Sequence, residues 1–120
     1  MSSVNYTGGD LLYELNTRMA LMDAAQRELT KYTEEKAQTE RDYRVALADC
    51  MNRLRADKGT PATILGDIAR GQRSIADLKF KRDIATGMYD AAVSALNNYK
   101  LQARLLEAQI SREWGGLQWK

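Results

Sequence analysis

Histidine is missing from all 120 residues, and cysteine occurs once, at Cys50. The first absence removes the side chain that most often serves as base, proton shuttle or metal ligand near neutral pH. The second leaves no intramolecular disulfide and no thiolate zinc site. Proline and phenylalanine also occur once each, at Pro61 and Phe80. Neither GxGxxG nor GxxxxGK[ST] is present, so no recognised glycine-rich loop cradles a phosphate. No apolar run approaches the ~18 residues of a membrane span. The opening MSSVNYTGGDLLYE has no basic stretch and no apolar core of signal-peptide length, so a cytoplasmic location is expected. These gaps argue against an enzyme and against a bound cofactor or metal.

What the chain does contain is ordinary in amount and uneven in placement. Hydrophobic residues make up 44%, a folded rather than disordered composition. With 18 basic and 16 acidic side chains the net charge is +2, too balanced for a protein built mainly to hold duplex DNA. From Lys58 to Arg82, however, Lys58, Arg70, Arg73, Lys79, Lys81 and Arg82 face only Asp67 and Asp77, a local excess of 6 − 2 = +4.

Two long helical patterns flank this basic stretch. Asp10 follows Gly8-Gly9 as an N-cap, and no glycine or proline interrupts the chain from Leu11 until Gly59. Leu12, Leu15, Met19, Met22, Leu29, Tyr32, Tyr43, Leu47, Cys50 and Leu54 recur mostly at steps of three and four, giving one apolar stripe. The stripe thins across TEEKAQTERD (33–42), where good helix formers keep the helix going and packing is weak or polar. Glu34, Glu35, Glu40 and Asp42 alternate there with Lys36, Arg41 and Arg44, the pattern of a solvated, ion-paired face rather than a metal cluster. Cys50 reads as a small buried hydrophobe.

The second pattern runs from Arg73 to about Trp114. One seven-residue series is Ile75, Arg82, Tyr89, Leu96, Ala103, Ile110; its companion is Leu78, Ala85, Ala92, Tyr99, Leu106, Glu113. Alternating steps of three and four make this a coiled-coil seam. Met88, Val93 and Leu105 widen the apolar surface beyond it, which implies a second neighbour. Gly87, inside the helix, marks either a close helix crossing or plain tolerance.

The connector KGTPATILGDIARG explains how the two patterns join. Gly59 ends the first helix, Thr60 caps a new one, Pro61 takes its first position, and Gly71 stops it. This short helix, residues 60–70, brings Ile64, Leu65 and Ile68 to one face and is expected to bury all three. The predicted fold is therefore all-α: a long antiparallel, coiled-coil-like hairpin over residues 10–114, with a short helix at its tip. A flexible arm (1–9) precedes it and a tail (115–120) follows. Two helices alone leave half of each stripe uncovered, so closure into a homo-oligomeric bundle, most simply a dimer, is expected.

Two sets of residues stand out as candidate surfaces. Arg70, Arg73 and Lys79 are the candidate anion-binding groups at the tip; Arg73 in particular opens a helix whose dipole disfavours a cation there. At the other end, Tyr6, Trp114, Leu117 and Trp119 are the candidate protein contacts, since aromatic residues dominate binding hot spots.

The ERDYRVAL helix, the DKGTPATILGDIARG connector, the IADLKFKRDIA restart and the near-terminal REWGG together resemble small helical proteins encoded by phages and prophages of bacteria. That resemblance covers the chain from about Leu12 and implies a host or phage protein as partner, with no catalytic residues to carry over. The leading expectation is a non-enzymatic, oligomeric helical interaction module. The alternative is binding of single-stranded nucleic acid or an anionic nucleotide through the basic tip, although Phe80 is the only aromatic there for base stacking.

Overall fold

The computed structural model describes residues 8–118, with side chains described from Gly9 to Gly115. Over that span the chain is helical except at 59–61 and 71–72. Three helices follow one another: α1 (Gly8–Lys58, 51 residues), α2 (Ala62–Arg70, 9 residues) and α3 (Arg73–Gln118, 46 residues). The fold is an all-α helical hairpin, as the two long stripes predict.

The helix ends follow local chemistry, with three departures from expectation. α1 begins at Gly8, so Asp10 lies within the first turn instead of capping it; its charge still faces the positive end of the helix dipole. Gly59 is the only residue with positive φ among those described, at 60°, a conformation that costs any residue with a Cβ. Thr60 donates its amide to the Leu54 carbonyl (3.3 Å), which satisfies one of the open acceptors at the end of α1. Pro61, not Thr60, is the residue just outside α2: its ψ of 142° is extended, no side chain caps the helix, and Ile64 N–H donates to its carbonyl (3.2 Å). Gly71 ends α2 as predicted but with ordinary helical φ (−79°), donating to the Asp67 carbonyl. At the far end, α3 continues through Gly115 and Gly116 to Gln118, where the hairpin was expected to end at Trp114.

The backbone packs as two units. In the first, whose described residues are 8–29 and 92–118, the start of α1 runs against the end of α3. Leu11, Ala25, Ala92, Leu96 and Ala103 are buried in it. In the second, formed by 30–91, α2 joins the end of α1 and the start of α3. Its core is Tyr43, Cys50, Ala69 and Ile75, with Leu47, Met51, Leu54 and Leu78 packed against it. Cys50 is thus the buried hydrophobe its context suggests.

On α3 every predicted seam position from Ile75 to Ile110 is buried or half-buried, and only Glu113 is exposed. The seam of α1 is differently placed. Leu12 (42% exposed) and Met19 (50% exposed) lie outside it. The inward positions are Leu11, Leu15, Arg18, Met22, Ala25, Leu29, Tyr32, Lys36, Thr39, Tyr43, Ala46 and Cys50, alternating four and three without a break. This heptad includes Arg18, Lys36 and Thr39, which is why hydrophobicity alone misplaces it. Among α2 residues only Leu65 and Ala69, four apart, are buried; Ile64 and Ile68 lie one position back on the helix and stay exposed.

Candidate interaction surfaces

The polar stretch of α1 packs through its charged stems and heads. Arg82 of α3 lies 4.5 Å from the centre of the Tyr43 ring and 3.5 Å from the Glu40 carboxylate. The Lys36 ammonium stands 4.3 Å over the ring of Tyr89. Glu40 also accepts a hydrogen bond from Arg44 at 2.6 Å, and Thr39 donates back to the Glu35 carbonyl at 2.8 Å. Each cation thus covers an aromatic face while its stem stays against apolar surface. These polar seam contacts set the register of α1 against α3 where aliphatic residues are absent. The Lys36–Tyr89 pair was not legible in the sequence, because Lys36 was read as part of the solvated face.

Arg70, Arg73 and Lys79, the three candidate anion ligands, do not share one arrangement. The Arg70 guanidinium pairs with Asp67, one turn back on α2, at 2.8 Å. Lys79 pairs with Asp83 at 3.5 Å. Arg73 opens α3 and has no ion-pair partner among the described residues. Six residues separate it from Lys79, which turns the two about 120° apart on the helix. Asp83 collects the local cations: hydrogen bonding from Arg82, then the charge of Lys79, holds its carboxyl below the usual 3.8. Local acids thus neutralise two of the three candidates.

Among the described residues no group of three or more acid or cysteine side chains is placed to hold a metal ion. Two grooves of about 290 Å³ lie in the second unit. One runs between Glu35, Thr39 and Asp42 of α1 and Lys81, Ile84 and Met88 of α3. The other lies nearer the turn, between Arg53, Asp57 and Lys58 of α1 and Gln72 and Ser74 beyond α2. Both are open, and neither gathers groups arranged as nucleophile and base.

Exposed large apolar side chains are more informative. They include Ile64 and Ile68 on α2, Phe80, Ile84, Met88, Leu101 and Leu105 on α3, and Trp114 near the end of α3. Met88 and Leu105 behave as the sequence pattern implies, whereas Val93 is half-buried beside the seam. Trp114 is 54% exposed. Of the other candidate protein contacts, Tyr6 and Trp119 lie outside the described residues. Leu117 belongs to the last turn of α3, its side chain outside those described. The exposure of Ile64 and Ile68 was the missed feature; their spacing from Leu65 and Ala69 was the available signal.

No helix of the described residues is long and apolar enough to cross a membrane. No family model, no characterised protein and no solved structure matches the chain.

Proposed function

We propose that this protein is a non-enzymatic interaction module, a helical hairpin that associates with itself and presents surfaces for a further protein. The observation that carries this reading is the set of large apolar side chains left in solvent on α3, Ile84, Met88, Leu101 and Leu105, each at least 42% exposed. Scattered exposed hydrophobes are ordinary, but a series of them along one helix marks an interaction surface. Its resemblance to phage-encoded helical proteins favours a host or phage protein as the further partner. The two isoleucines of α2 and Trp114 offer that partner separate contacts, clear of the seam.

Light scattering at micromolar concentration tests the core of the proposal. It should return at least twice the 13.6 kDa chain mass. A stable monomer would sink it. The basic-tip alternative makes a different demand: affinity for short single-stranded DNA or RNA that falls steeply as salt rises. The ion pairs at Arg70 and Lys79 favour the interaction module, which should show little such affinity even at about 50 mM salt.

A further inference from the structure

Within the second unit the α1–α3 pair has two flanks, and they differ. In the heptad that places Lys36, Thr39, Tyr43, Ala46 and Cys50 inward, Leu47 and Leu54 fall on one flank. Both are packed there against the core that contains Ala69 of α2. The opposite flank takes Glu35, Asp42, Val45 and Asp49 from α1. In the matching heptad of α3 it takes Asp77, Lys81, Ile84 and Met88. A groove of about 290 Å³ runs along it, with Glu35 and Asp42 on one wall, Ile84 and Met88 on the other and buried Ala85 between them. Val45 (55% exposed), Ile84 (50%) and Met88 (42%) leave apolar surface open on this flank. Its charge is mostly of one sign. Glu35, Asp42 and Asp49 recur at steps of seven, over about 21 Å of α1, and Asp77 stands on the α3 side. Lys81 is the one cation on the flank over this span; Lys31 and Arg53, each a turn beyond on α1, bound it. Asp42 lies 3.6 Å from Arg41, whereas Glu35, Asp49 and Asp77 have no ion-pair partner among the described residues.

We propose that this flank docks a basic amphipathic helix of another protein, about four turns long. Its apolar stripe rests on Val45, Ile84 and Met88, and its Lys or Arg residues, seven apart, meet Glu35, Asp42 and Asp49. The proposal rests on the reading that the hairpin presents surfaces for a further protein, and it names one surface and the chemistry of its partner. It does not depend on self-association. A groove between two packed helices with an apolar wall is the shape that accepts a third helix. Charge then selects the occupant. A helix with acids along its edge would face a row of carboxylates, and like charges brought together across an interface repel strongly. A basic edge supplies the counter-charges that Glu35 and Asp49 lack within the chain. The same flank of a second copy fails on this ground, because it would set acidic row against acidic row.

The probe is a synthetic helix of alanine and glutamine with leucine at both inward heptad positions and lysine along one edge; its comparator carries glutamate in place of each lysine. Fluorescence anisotropy with the full chain at about 50 mM salt should give the lysine peptide a dissociation constant at least about tenfold lower, and the preference should shrink as salt rises. Methyl NMR should show shifts at Val45, Ile84 and Met88 and none at Ile64 or Ile68. The double variant E35K/D49K, changed at two exposed positions, should bind the lysine peptide at least about tenfold more weakly at unchanged helicity by circular dichroism. Absence of binding by either peptide, or equal binding of both, overturns the proposal and leaves self-association to its own measurement. Shifts centred on Ile64 and Ile68 would move the partner surface to α2, ending this flank and keeping the interaction module. Shifts of Ile84 and Met88 on dilution without peptide would give the groove to a second copy and likewise overturn the proposal. Should E35K/D49K lose helicity, the peptide preference and the methyl shifts of the native chain decide.

Discussion

Along the outward side of α1, Arg27, Lys31, Glu34 and Arg41 follow one another, while the corresponding side of α3 runs from Ile84 to Ser111 without a charge. The inward sides differ in the same sense. The seam of α1 includes Arg18, Lys36 and Thr39, whereas on α3 Arg82 is the one charged residue among the seam positions from Ile75 to Ile110. Both helices belong to one hairpin, so covering a partner within the chain does not account for the contrast. A helix with a single neighbour needs one apolar stripe and gains solubility from charge elsewhere. α1 has the composition of such a helix. α3 has the composition of a helix with neighbours on two sides.

The comparison breaks most severely at paired leucines of α3. Leu96 is buried in the seam (6% exposed) and Leu105 is exposed on the outward face (62%). L96D leaves a carboxylate without a partner in an apolar contact, at a cost of roughly several kcal/mol, enough to unfold a protein of ordinary stability. L105D should leave the stability of the hairpin within about 0.5 kcal/mol, since its site is solvated in the single chain. Urea titration at low concentration reads both. Equal losses would mean that α3 has no distinct outward face.

Glycines give effects of opposite sign. Gly59 occupies positive φ at the turn between α1 and α2, so G59A should destabilise by about 1–2 kcal/mol. Gly87 sits on the outward face of α3, with nothing within 4 Å of an added Cβ. Tolerance is therefore the right account of it within the hairpin, not a close crossing. G87A should stabilise the single chain by up to about 1 kcal/mol through helix propensity. Thermal unfolding at low concentration separates the two. A gain in stability accompanied by weaker dimerisation would assign Gly87 to the contact between copies.

Arg82 tests the polar seam that distinguishes α1. R82A removes the contact with Tyr43 and the approach to Glu40, and should cost about 1 kcal/mol. Raising salt should recover only the part due to Glu40, because the ring contact is buried against the helix. A loss unchanged between low and high salt would place the whole effect on Tyr43.

How much of this was legible in the sequence depends on what the signal was made of. The α3 seam could be read position by position because its residues are apolar, and apolar spacing reports burial directly. The α1 seam could be read only in part. Lys36 and Thr39 are inward but polar, and Leu12 and Met19 are apolar but outward, so hydrophobicity pointed to the wrong residues at both ends. Only register, counted at four and three from Tyr43 and Cys50, recovers the true line. The turn was legible through Gly59 and Gly71, yet the fate of Ile64 and Ile68 was not. A nine-residue helix can bury only the stripe that meets its neighbours, and Leu65 with Ala69 fills it. The basic tip was overread for a related reason: counting charges from Lys58 to Arg82 stopped one residue short of Asp83, the acid that Lys79 and Arg82 share.

Asp83 gives the smallest expected effect and bears on the contrast from the edge of the α3 face. Its carboxyl is held below 3.8, first by the hydrogen bond from Arg82 and then by Lys79. A depressed folded-state pKa means that the contribution to stability is present above the unfolded value and disappears as pH falls through the folded one. The side chain is half exposed, so solvent screens the contribution, and the titration midpoint is the better readout. Followed by carboxyl carbon NMR, the midpoint should lie below 3.8 and rise towards it in R82A. A midpoint unmoved by R82A would mean that the Arg82 hydrogen bond does not set it.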